Sequence, residues 1–301
     1  MAENDSPQDT APETKSFILE TLRLLRHNRL ASVGAVIILL LIFFALTGSL
    51  LAPYDPNEMD MQDRLSPPGL KHPFGTDDFG RDVLSRVVAG TSISLRVGII
   101  AVGISMIAGV LLGAVSGYYG GWLDEVIMRL MDVLFAFPAI LLAIAILAAL
   151  GPGIGNAMIA IAIVYTPIFA RITRGSVLTV REDVFVRAAR CVGCRDRRIL
   201  FLHILPNVLA PIIVETTLSL AFAILAESAL SFLGLGTQPP DPSWGRMLSE
   251  SRGYIQDAPW LGVFPGLAIM FAVMSFNFLG DGLRDALDPR MKQVLEPGGS
   301  G

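Results

Sequence analysis

Lysine is nearly missing from these 301 residues: Lys15, Lys71 and Lys292 are the whole complement. None of them ends the glycine-rich loop G-x-x-x-x-G-K-[ST] that cradles nucleotide phosphates, so the chain is not expected to hydrolyse ATP itself. Cysteine is as scarce. Cys191 and Cys194 cannot build a disulfide framework. Their C-x-x-C spacing invites a redox or zinc reading, but structural zinc takes four ligands and only His203 lies nearby. They read instead as two small side chains, with no metal and no cofactor called for. Histidine is limited to His27, His72 and His203, all outside the long apolar runs. No nucleophile–base pair or metal cluster can therefore form inside those runs, which excludes an intramembrane enzyme. Charge is low overall. Charged residues make up 17% of the chain, against about 25% in soluble domains. The net charge of -4 leaves no basic footprint for nucleic acid.

Apolar residues fill the space. They account for 52% of the sequence, and the mean hydropathy is +0.59. A membrane-crossing helix needs about 20 mostly apolar residues, because the hydrocarbon core is about 30 Å thick and each residue rises about 1.5 Å. Six stretches meet or approach that length: 30–52, 97–116, 133–150, 154–170, 208–233 and 259–279. Five are uncharged, and the fifth stretch carries only Glu215 and Glu227. Gly151-Pro152-Gly153 separates the third from the fourth, which predicts a tight helical hairpin. The expected fold class is all-α, a polytopic membrane protein with six transmembrane helices.

Orientation follows from arginine. Between the fourth and fifth stretches lie Arg171, Arg174, Arg181, Arg187, Arg190, Arg195, Arg197 and Arg198. Against them stand Glu182, Asp183 and Asp196, leaving a net +5 and placing the segment in the cytoplasm. Arg23, Arg26 and Arg29 precede the first span and put the N-terminus inside as well. Six spans then return the C-terminus to the same side. The resulting division is a tail with an interfacial helix at 1–29, a first span at 30–52 and an external loop at 53–96. A five-helix core follows at 97–280, with a cytoplasmic loop at 175–207, and a cytoplasmic tail closes the chain at 281–301. The first 15 residues are polar and acidic, unlike a signal peptide, and read as a disordered tail. Residues 16–30 mix apolar and basic side chains and read either as a helix lying on the inner surface or as a basic flank.

Gly109, Gly113 and Gly117 recur every four residues, giving one smooth helix face for close packing. Glu215 and Glu227 are expensive in hydrocarbon. They stand as pore-lining candidates against the alternative of hydrogen bonds to a neighbouring helix. Tyr54, Tyr118, Tyr119, Trp122, Trp244 and Trp260 fall near span ends, as an aromatic belt would; Trp244 could also face an external partner. Asp77, Asp78, Arg81 and Asp82 read as a helix N-cap with solvated charges.

The cytoplasmic loop carries the most specific signal. Ala188, Ala189 and Gly193 make a small-residue patch on what should be a short helix, and Pro206 should begin the fifth span. Arg187-Ala188-Ala189, three residues, Gly193, nine residues, then His203-Ile204-Leu205-Pro206 resembles the coupling loop of binding-protein-dependent ABC importer permeases. Arg187 and His203 stand where the general signature has Glu and Ile, which is similar to the peptide and nickel branch. Residues 72–90, 226–248 and 276–290 resemble that branch too, so the likeness runs from about residue 22 to 292.

The resemblance implies a type I permease fold in a bacterial plasma (inner) membrane. It implies a homologous second permease, two ATP-binding subunits, an external substrate-binding protein and surrounding lipid as partners. It also implies that Arg187, Ala188, Ala189, Gly193, Leu205 and Pro206 couple the pore to ATP hydrolysis by those partners. Dipeptides, oligopeptides, glutathione and nickel remain open as cargo, and a secondary transporter is the reading from another class.

Overall fold

The computed structural model describes residues 28–287. The N-terminal tail, most of the interfacial segment with Arg23 and Arg26, and the residues after 287 lie outside that range. Helix α1 (Arg29–Leu51) begins at Asn28, whose side-chain oxygen accepts from the Leu30 and Ala31 N–H groups at 3.1 and 3.2 Å. That capping satisfies donors the first helical turn leaves free.

Helix α2 (Val83–Tyr119) has 37 residues and spans about 55 Å at 1.5 Å per residue. The sequence places the start of this span at residue 97; the helix starts fourteen residues earlier. Residues 83–96 carry Arg86 and Arg96 and pack against residues 52–82, so a hydropathy criterion does not pick them out. Asp82 caps it, accepting from Ser85 N–H at 2.8 Å.

The third apolar stretch is not one straight span. Helices α3 (Gly121–Phe135) and α4 (Ala139–Leu150) meet at 93°. Pro138, which has no N–H to continue the ladder, stands at the bend. With 12 residues, α4 reaches only about 18 Å. It is joined to α5 (Ile154–Val180) through Gly151 and Gly153, whose φ values of 88° and 141° suit glycine alone. The hairpin expected here is present.

The amphipathic α6 (Val184–Cys191) follows α5. Helix α7 then runs without interruption over Asp196–Phe232, starting twelve residues earlier than the apolar stretch suggested. Its first turns are irregular: a π segment at Ile199–Ile204 leads into a 3-10 turn at Leu205–Val208. Pro206 therefore sits inside the helix rather than at its start. The Asn207 side chain donates to the His203 carbonyl at 2.6 Å, within the stretch where proline disrupts the ladder. A short α8 (Trp244–Ser251) and the long α9 (Trp260–Leu287) complete the chain. Among the described residues five helices are long and apolar enough to cross a membrane, and the bent pair makes six if counted as one crossing. No strand forms among them beyond one isolated bridge, Thr76 to Asp82.

Packing is tightest between α2 and α5. A Cβ added to Gly109 would lie 2.5 Å from the Phe169 Cβ, and one on Gly117 would lie 2.9 Å from the Arg174 carbonyl oxygen. The glycine face predicted from spacing is the seam of the bundle, and the backbones approach because no side chains intervene. At the opposite end of α2 from Tyr119, residues 52–82 and α8 form a polar cap. Arg86 is only 1% exposed, yet its guanidinium donates to the Pro56 carbonyl at 3.0 Å and lies 3.4 Å from Glu250. Arg81 pairs with Asp77 at 2.6 Å. Asp77 and Arg81 are thus buried as a pair, and Asp82 is buried with His72 at 2.9 Å, so these charges are not solvated, although Asp82 does cap the helix.

The aromatic residues divide. Trp122 and Tyr119 are exposed, as belt residues would be. Trp244 is fully buried, its indole N–H donating to the Val87 carbonyl at 3.0 Å. It belongs to the interior and presents nothing to a partner. Trp260 donates to the Thr76 carbonyl at 3.1 Å and Tyr118 is buried, so tertiary packing claims these as well.

Candidate functional site

Helix α6 sits where α5 ends. Arg181, the residue closing α5, donates to the Gly117 carbonyl at 2.9 Å and reaches that of Tyr118 at 3.5 Å. These carbonyls are among the four that the end of α2 cannot satisfy internally. The arginine thereby ties the last turn of α2 to the entrance of α6.

One face of α6 is anchored. Val186 is fully buried in the main core with Ile199 and Leu200 of α7, and Ala189 and Cys194 pack against the same cluster. The other face is bare. Val184, Phe185, Ala188 and Val192 are all exposed. Val184, Ala188 and Val192 follow one another at four-residue intervals, which aligns them along one edge of the helix. Composition obscured this stripe, because Arg187, Arg190 and Cys191 share its short span. The signal that could have revealed it is the i, i+4, i+8 spacing.

The predicted residues separate on this scaffold. Arg187 and Ala188 are exposed, and Ala189 turns half inward. Gly193 lies past the helix end with φ of 80°, a left-handed geometry natural to glycine, and open space surrounds its missing Cβ. It therefore extends the exposed edge but is not part of a helical small-residue patch. Leu205 and Pro206 lie on the irregular opening of α7, with Leu205 packed against the core and Pro206 exposed. Cys191 is exposed, Cys194 is half-buried, and both thiols are free.

The eight arginines also divide. Arg174 holds Asp124 of α3 with two contacts of 2.6 Å, and Arg171 holds Asp132 at 2.6 Å while lying 4.2 Å over the Phe135 ring. Arg181 holds carbonyls, as described. Arg190 lies 5.4 Å over the Tyr118 ring. Tyr118 in turn donates its hydroxyl to Asp196 at 2.7 Å. That single ring thus joins the end of α2, the end of α6 and the first residue of α7. Arg187, Arg195, Arg197 and Arg198 are exposed and make no ion pair among the described residues. They give the bare edge of α6 a positive surround.

The two carboxylates within α7 differ. Glu227 is 1% exposed and accepts from Ser231 at 2.7 Å, from Ser94 of α2 at 3.1 Å and from Thr237 at 3.5 Å. Glu215 is half-buried, accepts from Ser219 at 3.0 Å, and borders an open cavity of about 440 Å³ with Pro211, Arg284 and Leu287. A separate apolar cavity of about 250 Å³ lies between α4, α5 and α7, lined by Ala139, Ile161, Tyr165, Phe222 and Leu225.

Residues 109–293 match the family described as the binding-protein-dependent transport system inner membrane component. Residues 16–68 match the N-terminal TM domain of oligopeptide transport permease C. The dipeptide transport system permease protein DppC of Alkalihalophilus pseudofirmus is 53% identical over 289 residues, covering 96% of this chain and 95% of its own. The glutathione transport system permease protein GsiD of Escherichia coli is 48% identical over 274 residues, 91% and 90% of the two chains. A chain of the MetNI methionine ABC transporter, solved in inward-facing conformations, superposes with a TM-score of 0.56 at 16% identity. It covers 67% of this chain and 97% of that one, a likeness of fold alone.

Proposed function

This chain belongs to the inner membrane component family of binding-protein-dependent transport systems, and from that membership we propose that it forms half of a peptide importer's pore. The cargo class rests on the dipeptide and glutathione permeases to which nearly the whole chain is similar. The other half of the pore is a homologous permease. Two ATP-binding subunits lie beneath, an external binding protein delivers the peptide, and both termini face the cytoplasm with residues 175–207. ATP is hydrolysed by the partners, in keeping with a chain whose three lysines complete no phosphate loop.

The observation that carries this reading is α6, an eight-residue helix anchored on one face and apolar but uncovered on the other. A soluble partner with an apolar cleft and an acidic rim complements it. Arg187, Ala188 and Gly193 contribute the exposed edge, while Ala189, Leu205 and Pro206 connect that edge to the core and to α7. Closure of the ATP-binding subunits pushes on α6. The load passes through Val186 and Tyr118 into α2 and α7, biasing the pore between two arrangements. Glu215, beside an open cavity, is the better placed of the two carboxylates to meet cargo. Glu227 serves the packing of α7 on α2.

Gly193→Asp tests the docking edge, with Gly193→Asn as its control. Both residues tolerate the left-handed geometry, so the pair differs chiefly in charge. In proteoliposomes holding the whole importer, Gly193→Asp should lose most peptide uptake and its stimulation of ATP hydrolysis, while Gly193→Asn retains both. Equal, normal uptake by the two variants would remove this edge from the coupling interface.

A further inference from the structure

Arg96 is an exposed charge at a place where charge is costly. It is the last charged residue of α2, and residues 97–123 contain no Asp, Glu, Lys or Arg. Directly along the helix from it, Ile99, Ile100, Ile104 and Ile107 are exposed on a surface suited only to lipid tails or another apolar helix. Arg96 makes no hydrogen bond or ion pair among the described residues. An unpaired guanidinium at the margin of hydrocarbon calls for an anion there.

A cavity of about 690 Å³ opens beside it, between the end of α1, residues 53–58 and α2. Its size falls in the range of roughly 300–1,000 Å³ common to small-ligand sites. Phe44, Val88 and Ser92 line the inner wall, and Asp55 and Glu58 stand on the rim. The concavity arises because Ala45, Gly48, Ala89 and Ser92 place small side chains where the two helices face each other. The rim is fixed in place. Tyr54 donates its N–H to Ser85 at 3.2 Å, Pro56 accepts from Arg86 at 3.0 Å, and Asp55 accepts from the Asn57 N–H at 2.8 Å. Glu58 has no side-chain partner among the described residues.

We propose that this cavity binds a phospholipid with a primary-amine headgroup, the phosphate on Arg96, the ammonium between Asp55 and Glu58, and an acyl chain along Phe44 and Val88. One cation set at the hydrocarbon margin and two anions further out match the charge order of such a zwitterion. An arginine fork suits a phosphate oxygen pair, and the carboxylates accept from an ammonium. A purely anionic headgroup satisfies Arg96 and leaves Asp55 and Glu58 repelled. The lipid lies across the joint between α1 and the rest of the bundle, where it holds the rim against α2.

The test is native mass spectrometry of the intact importer released from membranes containing phosphatidylethanolamine and phosphatidylglycerol. The wild type should retain phosphatidylethanolamine preferentially. Arg96→Ala should lower its occupancy about fivefold, the worth of one basic residue at a lipid surface, and Arg96→Lys should largely restore it. The Asp55→Asn/Glu58→Gln pair should keep total lipid while abolishing the preference for phosphatidylethanolamine, a result that general misfolding would not give. Ser92→Trp should expel the lipid by filling the cavity. The proposal fails if Arg96→Ala and the wild type carry the same lipid, or if neither headgroup is preferred. It fails equally if a photo-crosslinking residue in place of Ser92 captures a protein subunit instead of lipid.

Discussion

Gly113 of α2 and Ala170 of α5 leave no room for a methyl group between them: a Cβ on Gly113 would lie 2.3 Å from the Ala170 carbonyl oxygen. The obstacle is backbone, which cannot rotate out of the way. Substituting alanine must therefore separate two helices that are packed along much of their length. Overpacking of this kind costs about 1–3 kcal/mol. Gly113→Ala should lower the thermal unfolding midpoint in detergent by several degrees, and Gly113→Leu should prevent assembly. Gly103, whose missing Cβ has no neighbour within 4 Å, should accept alanine without loss. If both glycines tolerate alanine equally, the close seam is not what holds α2 to α5.

The Tyr118 hydroxyl is the one atom joining the end of α2 to the first residue of α7 by a hydrogen bond, at 2.7 Å to Asp196. Tyr118→Phe keeps the ring beneath Arg190 and removes only that bond. A hydrogen bond to a charged group contributes about 1.5–3 kcal/mol, enough to alter a two-state balance more than tenfold. In the reconstituted importer, Tyr118→Phe should raise the ATP consumed per peptide moved while leaving basal hydrolysis near normal. Asp196→Asn keeps an acceptor oxygen but loses the charge and should fall between wild type and Tyr118→Phe; Asp196→Ala should match Tyr118→Phe. An unchanged stoichiometry in Tyr118→Phe would rule the bond out as a transmission element.

Glu227 and Glu215 should respond differently to the same substitutions. Glu227→Ala leaves the hydroxyls of Ser94 and Ser231 without their acceptor in a buried site, costing about 1–3 kcal/mol in stability. Glu227→Gln retains an acceptor and should recover most of that loss, with the peptide range unaltered. Glu215→Gln should barely change stability but should alter uptake rate or selectivity among peptides of different charge. Uptake assays across neutral, acidic and basic dipeptides distinguish the two. Identical profiles for wild type and Glu215→Gln would leave that residue without a role in cargo recognition.

Asp63, on the cap, hydrogen-bonds Lys71, and this pairing holds its carboxyl below the usual carboxylate range; His72, 3.4 Å away, acts in the same direction. A folded-state pKa below the unfolded value stabilises above the unfolded pKa and is lost as pH falls through the folded one. The loop over residues 60–76 should therefore loosen at acidic pH. Asp78 opposes this, because burial raises its pKa and favours the protonated form. Hydrogen exchange over residues 60–76 at pH 7 and pH 3 reads the net effect. Asp63→Asn should be loosened already at pH 7 and show a smaller change between the two conditions.

Much of the architecture was legible in the residues themselves. Uncharged runs of about 20 residues can serve few purposes other than crossing a bilayer, and glycine at every fourth position marks a face on which helices meet. Both inferences depend on local composition, so neither needs the fold. Helix limits escaped the same reasoning for a definite cause. Residues 83–96 and 196–207 are helical but polar or irregular, and hydropathy registers lipid contact, not helicity. The bend inside the third apolar stretch was not legible, because residues 133–150 are uniformly apolar while the break at Pro138 turns the chain by 93°.

The candidate site shows the same division. Arginine enrichment and the Arg187–Pro206 pattern singled out this segment from the residues alone. They could not tell which arginines are consumed by Asp124 and Asp132 of α3 and which are free, since those acids lie dozens of residues away. Nor could they show that Gly193 falls beyond the helix, or that Val184, Ala188 and Val192 stay uncovered.

By itself, the sequence determined that this chain lives in a membrane, that its apolar runs are long enough to cross it, and that none of its lysines completes a phosphate-binding loop. Each of these is a property of solvation or of missing chemistry, and it adds up residue by residue. Only the tertiary structure decided that Trp244, Arg86 and Glu227 are interior groups and that one tyrosine ties three helices together. Burial and pairing depend on neighbours distant in the chain, and no local pattern encodes a distance.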